Sequence, residues 1–411
     1  MKILLVSQYF WPEVFSINDL VFQLEADGHE VTVITGKPNY PKGEIFDGYS
    51  QQGVSRELFG KNITVFRVPL RPRNGGGGVD LIRNYLSFVF NGCRHIRSLV
   101  HRHEFDVVLV YAPSPILSAI PAIFAKWKIG APLSIWVQDL WPESIEATGF
   151  IKNRLAIYLV RQLVKLIYSA ADQLLVQSPA FSESVQRLAH ADKVEYYPNS
   201  HWDLSLEPQV PLKNSQLDAL LTEYFCVVFA GNIGIAQNLE SVIEAALHLK
   251  QNPQIKILLV GAGSMRAQVM AEAAAKGLDN LILPGRVTPA ELPYLYDKAG
   301  LLLVSLSDQP IFRLTIPSKL QGYFSAAKPI IACMSGVGAE VVKESGAGIA
   351  VDAGDVSGLS DAILSIYQLS AEEREQLGQR GRAYYLEHFE LSTLSRRLVS
   401  LLSKLNKQSR D

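Results

Sequence analysis

The sequence predicts an α/β protein built from two tandem, doubly wound, Rossmann-like domains. Three observations carry that prediction. Short continuous apolar runs recur along the chain, each bounded by glycine, proline or polar residues, as in strands buried on both faces. Stretches of helical period separate them, as crossovers between parallel strands require. The alternation breaks once, at a polar, proline-punctuated stretch near the middle of 411 residues, a length that suits two or three domains.

In order along the first half, strands are predicted over 3–7, 31–34, 63–68, 106–111, 133–138 and 173–177. A helix over 18–27 puts Leu20, Val21 and Leu24 on one face. Gly75-Gly76-Gly77-Gly78 follows no strand directly and reads as a flexible surface loop rather than a phosphate cradle. Pro198, Pro208 and Pro211 mark the division. Residues 1–200 form a first domain, 201–222 a linker and 223–388 a second domain. Strands there are predicted over 226–229, 255–260, 281–284, 301–305, 330–333 and 349–351, and helices over 356–369 and 371–388. A final helix within 389–411 is expected to pack back on the first domain. Two such domains in tandem would place a ligand cleft at the carboxyl ends of both sheets.

Composition narrows the function. A net charge of -1 gives no global pull toward nucleic acid, so an anion or membrane site has to be a local patch. Cys93, Cys226 and Cys333 lie far apart without metal spacing, which argues against a structural zinc or a disulfide framework. Met1-Lys2 runs straight into a strand, so no signal peptide is expected. No charge-free apolar run approaches membrane-spanning length.

The chemistry gathers around Ile316-Pro317-Ser318-Lys319-Leu320. Pro317 and Ser318 read as a helix start, with Ser318 able to cap free amides; the helix would end near Lys328, ahead of Pro329. Lys319 falls in the first turn, where the helix dipole disfavours a cation. A bound anion such as phosphate would remove that conflict; an ordinary surface lysine is the alternative. Three more loops follow strands of the same sheet. Gly231-Asn232-Ile233-Gly234, with Gln237 at the next helix, permits close approach of a ligand. Gly261 and Gly263 form a second glycine turn, and Arg286-Val287 places a cation at a strand end. The spacing is not that of a dinucleotide fingerprint. In the first domain, Asp139, Trp141 and Glu143 follow a strand. Carboxylates and indoles suit a sugar, and Asp139 could act as a base, steady positive charge, or cap the next turn. Trp11, Glu13, Asn39 and Tyr40 also follow strands and would line the same acceptor site. Segments 151–168 and 81–103 mix apolar residues with arginine and lysine, the pattern of interfacial helices, although core-facing helices read alike.

Taken together, these stretches resemble the family 4 glycosyltransferases of GT-B fold, in the bacterial cell-surface polysaccharide branch that includes L-fucosamine and colanic acid transferases. The matching pieces are Gln8 to Glu13, Gly28 to Val33, Thr35 to Gly43, Asp139 to Pro142, Tyr197 to Asn199, Gly231 to Gly234 with Gln237, and Pro317 to Leu320. The resemblance implies a retaining, metal-independent transfer without a cofactor, from a UDP- or GDP-linked sugar held by the second domain. An N-acetylated deoxyhexosamine such as L-FucNAc is one candidate sugar. The acceptor would be a lipid-diphosphate-linked saccharide at the cytoplasmic membrane face, in O-antigen, capsule or exopolysaccharide synthesis. By position, Arg286-Val287 would meet the base, and Gly231, Asn232, Gly234 and Gln237 the donor phosphates. Ser318 and Lys319 would contact phosphate, with Arg286 or Arg313 assisting, and Asp139 would be the catalytic or sugar-contacting group. Leu314 and Gly322 stand where many members carry two glutamates, one of which contacts the donor ribose. Competing readings are a UDP-sugar 2-epimerase and a catalytically silent scaffold of a polysaccharide assembly complex.

Overall fold

The structure is a computed structural model describing residues 1–75, 77–148 and 153–409. Gly76 of the glycine run and Ile151 and Lys152 at the head of the predicted basic helix lie outside the described residues. The chain divides into two compact units, Met1–Ser200 with Leu391–Asp411, and His201–Glu390.

Among its described residues the first unit carries eight strands: β1 (Lys2–Val6), β2 (Glu30–Gly36), β3 (Ser55–Phe59), β4 (Ile63–Val68), β5 (Val107–Ala112), β6 (Leu133–Val137), β7 (Gln173–Val176) and β8 (Val194–Tyr196). Their order is β3-β4-β2-β1-β5-β6-β7-β8, parallel except where β3 meets β4. Ile3 to Val6 and all of β5 are buried, so these central strands read as uninterrupted apolar runs. The predicted strands appear within one or two residues. The sequence missed β3 and β8. The first is the antiparallel edge strand, alternating in exposure and carrying two charges in Ser-Arg-Glu-Leu-Phe; the second is only three residues long.

The helix Leu391–Gln408 belongs to this unit. Leu391, Leu394, Leu398, Leu402 and Leu405 recur at helical spacing and share a core with Leu20, Val21 and Leu24. Tyr197 donates its hydroxyl to the Leu394 carbonyl at 2.9 Å, and Ser395 donates to Asp27 at 2.6 Å.

The second unit is a six-stranded parallel sheet of β9 (Phe225–Asn232), β10 (Ile255–Ala262), β11 (Leu281–Gly285), β12 (Leu301–Ser305), β13 (Ile330–Cys333) and β14 (Gly348–Val351), in the order β11-β10-β9-β12-β13-β14. The predicted linker 201–222 is corrected. Leu212, Leu217 and Leu221 sit in the core beside Cys226 and Val228, and Asn214 caps the helix Ser215–Glu223. Arg382 pairs with Asp203, so this stretch is part of the second unit. Phe389 is buried in the same core, which moves the boundary from 388 to Glu390.

Leu398→Ala should leave a cavity under the C-terminal helix and cost about 2–5 kcal/mol of first-unit stability. Chemical denaturation followed by a probe in each unit would show the first unit's transition moving and the second's staying in place.

Candidate donor site and acceptor-side loops

Strand β9 lies between β10 and β12, so the strand order reverses there, and the ends of these strands are where open α/β sheets receive ligands. β9 and β10 stay in register as far as Gly261 opposite Gly231 and Ala262 opposite Asn232. Both glycines adopt positive φ, +141° and +149°. A Cβ on Gly261 would lie 1.8 Å from the Gly231 carbonyl oxygen, so glycine at this position is what lets the two strand ends run side by side.

Lys319 packs against this turn. A Cβ on Gly231 would sit 2.6 Å from Lys319 Cε, and Lys319 Nζ stands 3.5 Å from the centroid of the Phe229 ring. Among the described residues the ammonium has no acidic partner. Burial pushes its pKa down to about 7, and the ring face works in the opposite direction. The helix Ser318–Ser325 starts from Pro317 without a side-chain cap, so the expected capping by Ser318 is corrected. Its first amides carry the positive end of the dipole beside Lys319. Tyr323, two-thirds along that helix, is fully buried, and its hydroxyl accepts the Ala230 amide at 3.0 Å, pinning the helix to the end of β9.

A cavity of about 330 Å³ opens beside the turn, walled by Gly231, Asn232, Gly261, Arg286, Val287 and Tyr296. Arg286 is exposed and makes no ion pair among the described residues. The structure therefore brings Gly231, Asn232, Gly261, Arg286, Val287 and Lys319 together. Other predicted donor contacts are engaged within the protein. Ile233 is fully buried in the core. Gly263 is required because a Cβ would meet the Ile233 carbonyl oxygen at 2.1 Å, so it supports the turn. Gln237 closes the turn by accepting the Gly234 amide at 3.0 Å. Arg313 is occupied by Asp308, with both contacts at 2.6 Å. Gly322 faces the His201 ring, and a Cβ there would lie 3.2 Å from His201 Nε2, while Leu314 is half-buried.

In the first unit, Glu13 and Asn39 are also corrected as sugar contacts. Glu13 is 1% exposed, and its carboxylate accepts the amides of Asn39 and Tyr40 at 2.8 Å and of Phe10 at 3.3 Å. Burial raises its pKa to about 7 against the pull of those amides. Asn39 is wholly buried, bonded to the Lys37 carbonyl and to Asn84. Both tie loops together. Trp11 and Tyr40 are exposed, with the Arg73 guanidinium 5.1 Å from the centre of the Tyr40 ring. Trp141 and Glu143 are half-buried. Asp139 accepts from the Ser144 hydroxyl, and burial raises its pKa. Sequence reasoning missed Phe229, Tyr323, Tyr296 and the buried Arg67, which donates to Glu57 and to the Trp11 and Gly36 carbonyls. Arg67 left one signal, a charge inside the apolar strand Ile-Thr-Val-Phe-Arg-Val.

Two Rossmann-like units in tandem, each with a largely parallel sheet, are the architecture of the GT-B fold. Residues 15–200 match the glycosyl transferase 4-like domain, and residues 215–384 match the family described as glycosyl transferases group 1. The chain therefore carries a glycosyl transferase 4-like domain followed by a group 1 glycosyl transferase domain, and it is a glycosyltransferase of GT-B fold. It is 26% identical over 293 residues to WcaI of Escherichia coli (strain K12), a glycosyl transferase assigned to colanic acid biosynthesis, covering 68% of this chain and 70% of that one. It is 23% identical over 266 residues to O-antigen chain mannosyltransferase C of Escherichia coli, covering 63% and 67%. The Anabaena protein Alr3699/HepE, solved with UDP, shares the fold at a TM-score of 0.68 and 14% identity, covering 98% of this chain and 100% of that one.

The lowered pKa of Lys319 makes a stability prediction. Between about pH 7 and the ordinary lysine value the unfolded chain binds more protons than the folded one, so this group's contribution rises with pH. Lys319→Met should exceed the wild type in stability near pH 7, and the difference should shrink as pH rises toward 10, measured by denaturant melts across that range.

Proposed function

We propose that this chain transfers a sugar from a nucleoside diphosphate donor, a UDP-sugar in our reading, to a lipid-linked saccharide in bacterial cell-surface polysaccharide synthesis. The observation that carries the reading is Lys319, a cation without a counter-charge, held beside the Gly231 turn at an uncapped helix start and next to a cavity that offers Arg286. An anionic diphosphate supplies the missing charge, and the cavity suits the nucleoside, at the lower end of small-molecule pocket volumes. The names of the polysaccharide relatives and the UDP held by the Anabaena protein support the same choice.

In the proposed reaction the acceptor hydroxyl oxygen bonds to the anomeric carbon on the face from which the diphosphate departs. The carbon–oxygen bond to the diphosphate breaks, its electrons stay on the leaving oxygen, and that oxygen takes the hydroxyl proton. Lys319, Arg286 and the amides of the Gly231 turn and the helix start stabilise the growing charge, which is the ground for proposing that no metal is needed. Ser318 and Pro317 shape that helix start. Asp139 steadies positive charge on the sugar or orients the hydroxyl. Trp11, Tyr40, Trp141 and Glu143 are the proposed acceptor contacts. The proposed site of action is the inner membrane face. No helix among the described residues is long and apolar enough to cross a membrane. Two helices instead expose apolar rows. Gly78–Leu99 shows Val79, Ile82, Leu86 and Phe90, and Arg154–Ala170 shows Leu155, Tyr158, Leu159 and Leu166, each helix with basic residues nearby. Core-facing helices remain the alternative reading, since Phe88, Ile96, Val164 and Ile167 of the same two helices are buried.

Lys319→Ala should lower kcat by two orders of magnitude or more, about 3 kcal/mol, with cooperative unfolding retained and activity insensitive to EDTA in both proteins. A turnover within a few-fold of wild type would remove Lys319 from the mechanism.

A further inference from the structure

The first unit holds a second cavity, of about 430 Å³, between the helices Gly78–Leu99 and Arg154–Ala170 and the loop after β6. Its described walls are aliphatic and aromatic, with Leu81, Ile82, Tyr85, Leu117, Ile145 and Val160 among them. Its polar groups are Asp139, which accepts from Ser144, with Ser114, the Tyr85 hydroxyl and the Trp141 indole nitrogen. The Arg73 amide donates to Asn39 Oδ1 at 3.3 Å, the same oxygen that accepts from Asn84, the neighbour of Tyr85 on the cavity wall, so the loop carrying Arg73 runs beside this helix. Arg73 has no acidic partner among the described residues, only the Tyr40 ring. A saccharide site would need donors and acceptors distributed around its walls. This cavity pairs apolar walls with a small polar side. Ile82 and Leu86 line it and are about half exposed, and they continue the exposed row through Val79 and Phe90, so the cavity opens onto an apolar surface.

We propose that this cavity is a slot for the aliphatic chain of a lipid phosphate, with the phosphate toward Arg73 and the chain running out past Ile82 and Leu86. The apolar walls recognise the chain by burial, and the unpartnered guanidinium matches the phosphate charge. The inference rests on the reading of the acceptor as lipid-linked, and it deepens that reading by locating the chain within the first unit. It also gives the exposed apolar row on Gly78–Leu99 a specific use, as the rim where a chain leaves the bilayer.

The test uses the full chain and octyl phosphate below its micellar concentration, titrated by calorimetry, with inorganic phosphate as the comparison. Octyl phosphate should bind the wild type at least about tenfold more tightly than inorganic phosphate, because each buried methylene adds affinity. Ile82→Asp changes an exposed position and should remove that preference while leaving UDP binding intact; Phe22→Glu, at another exposed apolar site outside the cavity, should keep it. Octyl phosphate binding no better than inorganic phosphate, or binding Ile82→Asp as well as the wild type, would overturn the slot. The two readings separate in an assay with a lipid-linked saccharide. Equal KM values for wild type and Ile82→Asp would overturn the slot while leaving the acceptor reading in place. Chain binding in the slot without any transfer to such acceptors would sink the acceptor reading alone.

Discussion

The second unit is arranged around one awkward charge. Lys319 lies at the wrong end of a helix dipole, partly removed from water, with an aromatic face and no carboxylate for company. Keeping it there takes several independent features. Gly231 leaves room for the lysine stem, and Gly261 leaves room for Gly231. Phe229 sits beneath the ammonium, and Tyr323 fastens the helix to the strand that carries the turn. A site that is electrostatically incomplete when empty favours an anion when filled, because the ligand supplies what the protein lacks. Preorganised charge of this sort is what a departing diphosphate requires.

The first unit shows a different use of buried polarity. Glu13 gathers three backbone amides, Asn39 joins two loops, and Arg67 fastens the loop after β1 to β2 and β3. These groups are satisfied within the protein and have nothing left to offer a ligand. They hold in place the loops that carry Trp11 and Tyr40, which remain exposed. The division of labour is physical: buried, fully bonded polar groups set the shape, and half-exposed aromatic and charged groups meet the solvent side.

The fold was readable because parallel strands buried on both faces leave continuous apolar runs. Ile63 to Val68, Leu301 to Ser305 and Ile330 to Cys333 were located to the residue. Edge strands such as Ser55–Phe59 leave no such run. The supposed linker misled because its polar and proline residues hide Leu212, Leu217 and Leu221. Within the site, Lys319, Arg286 and Gly231 could be read from residue type and position after strands. Ile233, Gln237, Arg313, Glu13 and Asn39 could not be sorted that way. Their roles depend on which partner satisfies each polar group and which way each side chain points, and a linear pattern does not encode that. Phe229 illustrates the same limit, since a phenylalanine in a buried strand reads as core until the lysine above it is seen.

The central claim is that Lys319 is waiting for a diphosphate. At pH 8 most of the unliganded lysine is neutral, because burial has pushed it down to about 7. A bound diphosphate, already fully ionised at that pH, would raise it again. Calorimetric titration of UDP in buffers of different ionisation enthalpy measures the protons exchanged on binding. The account predicts uptake approaching one proton per site in the wild type and none in Lys319→Met. Binding without proton uptake in the wild type, or equal uptake in the variant, would contradict it.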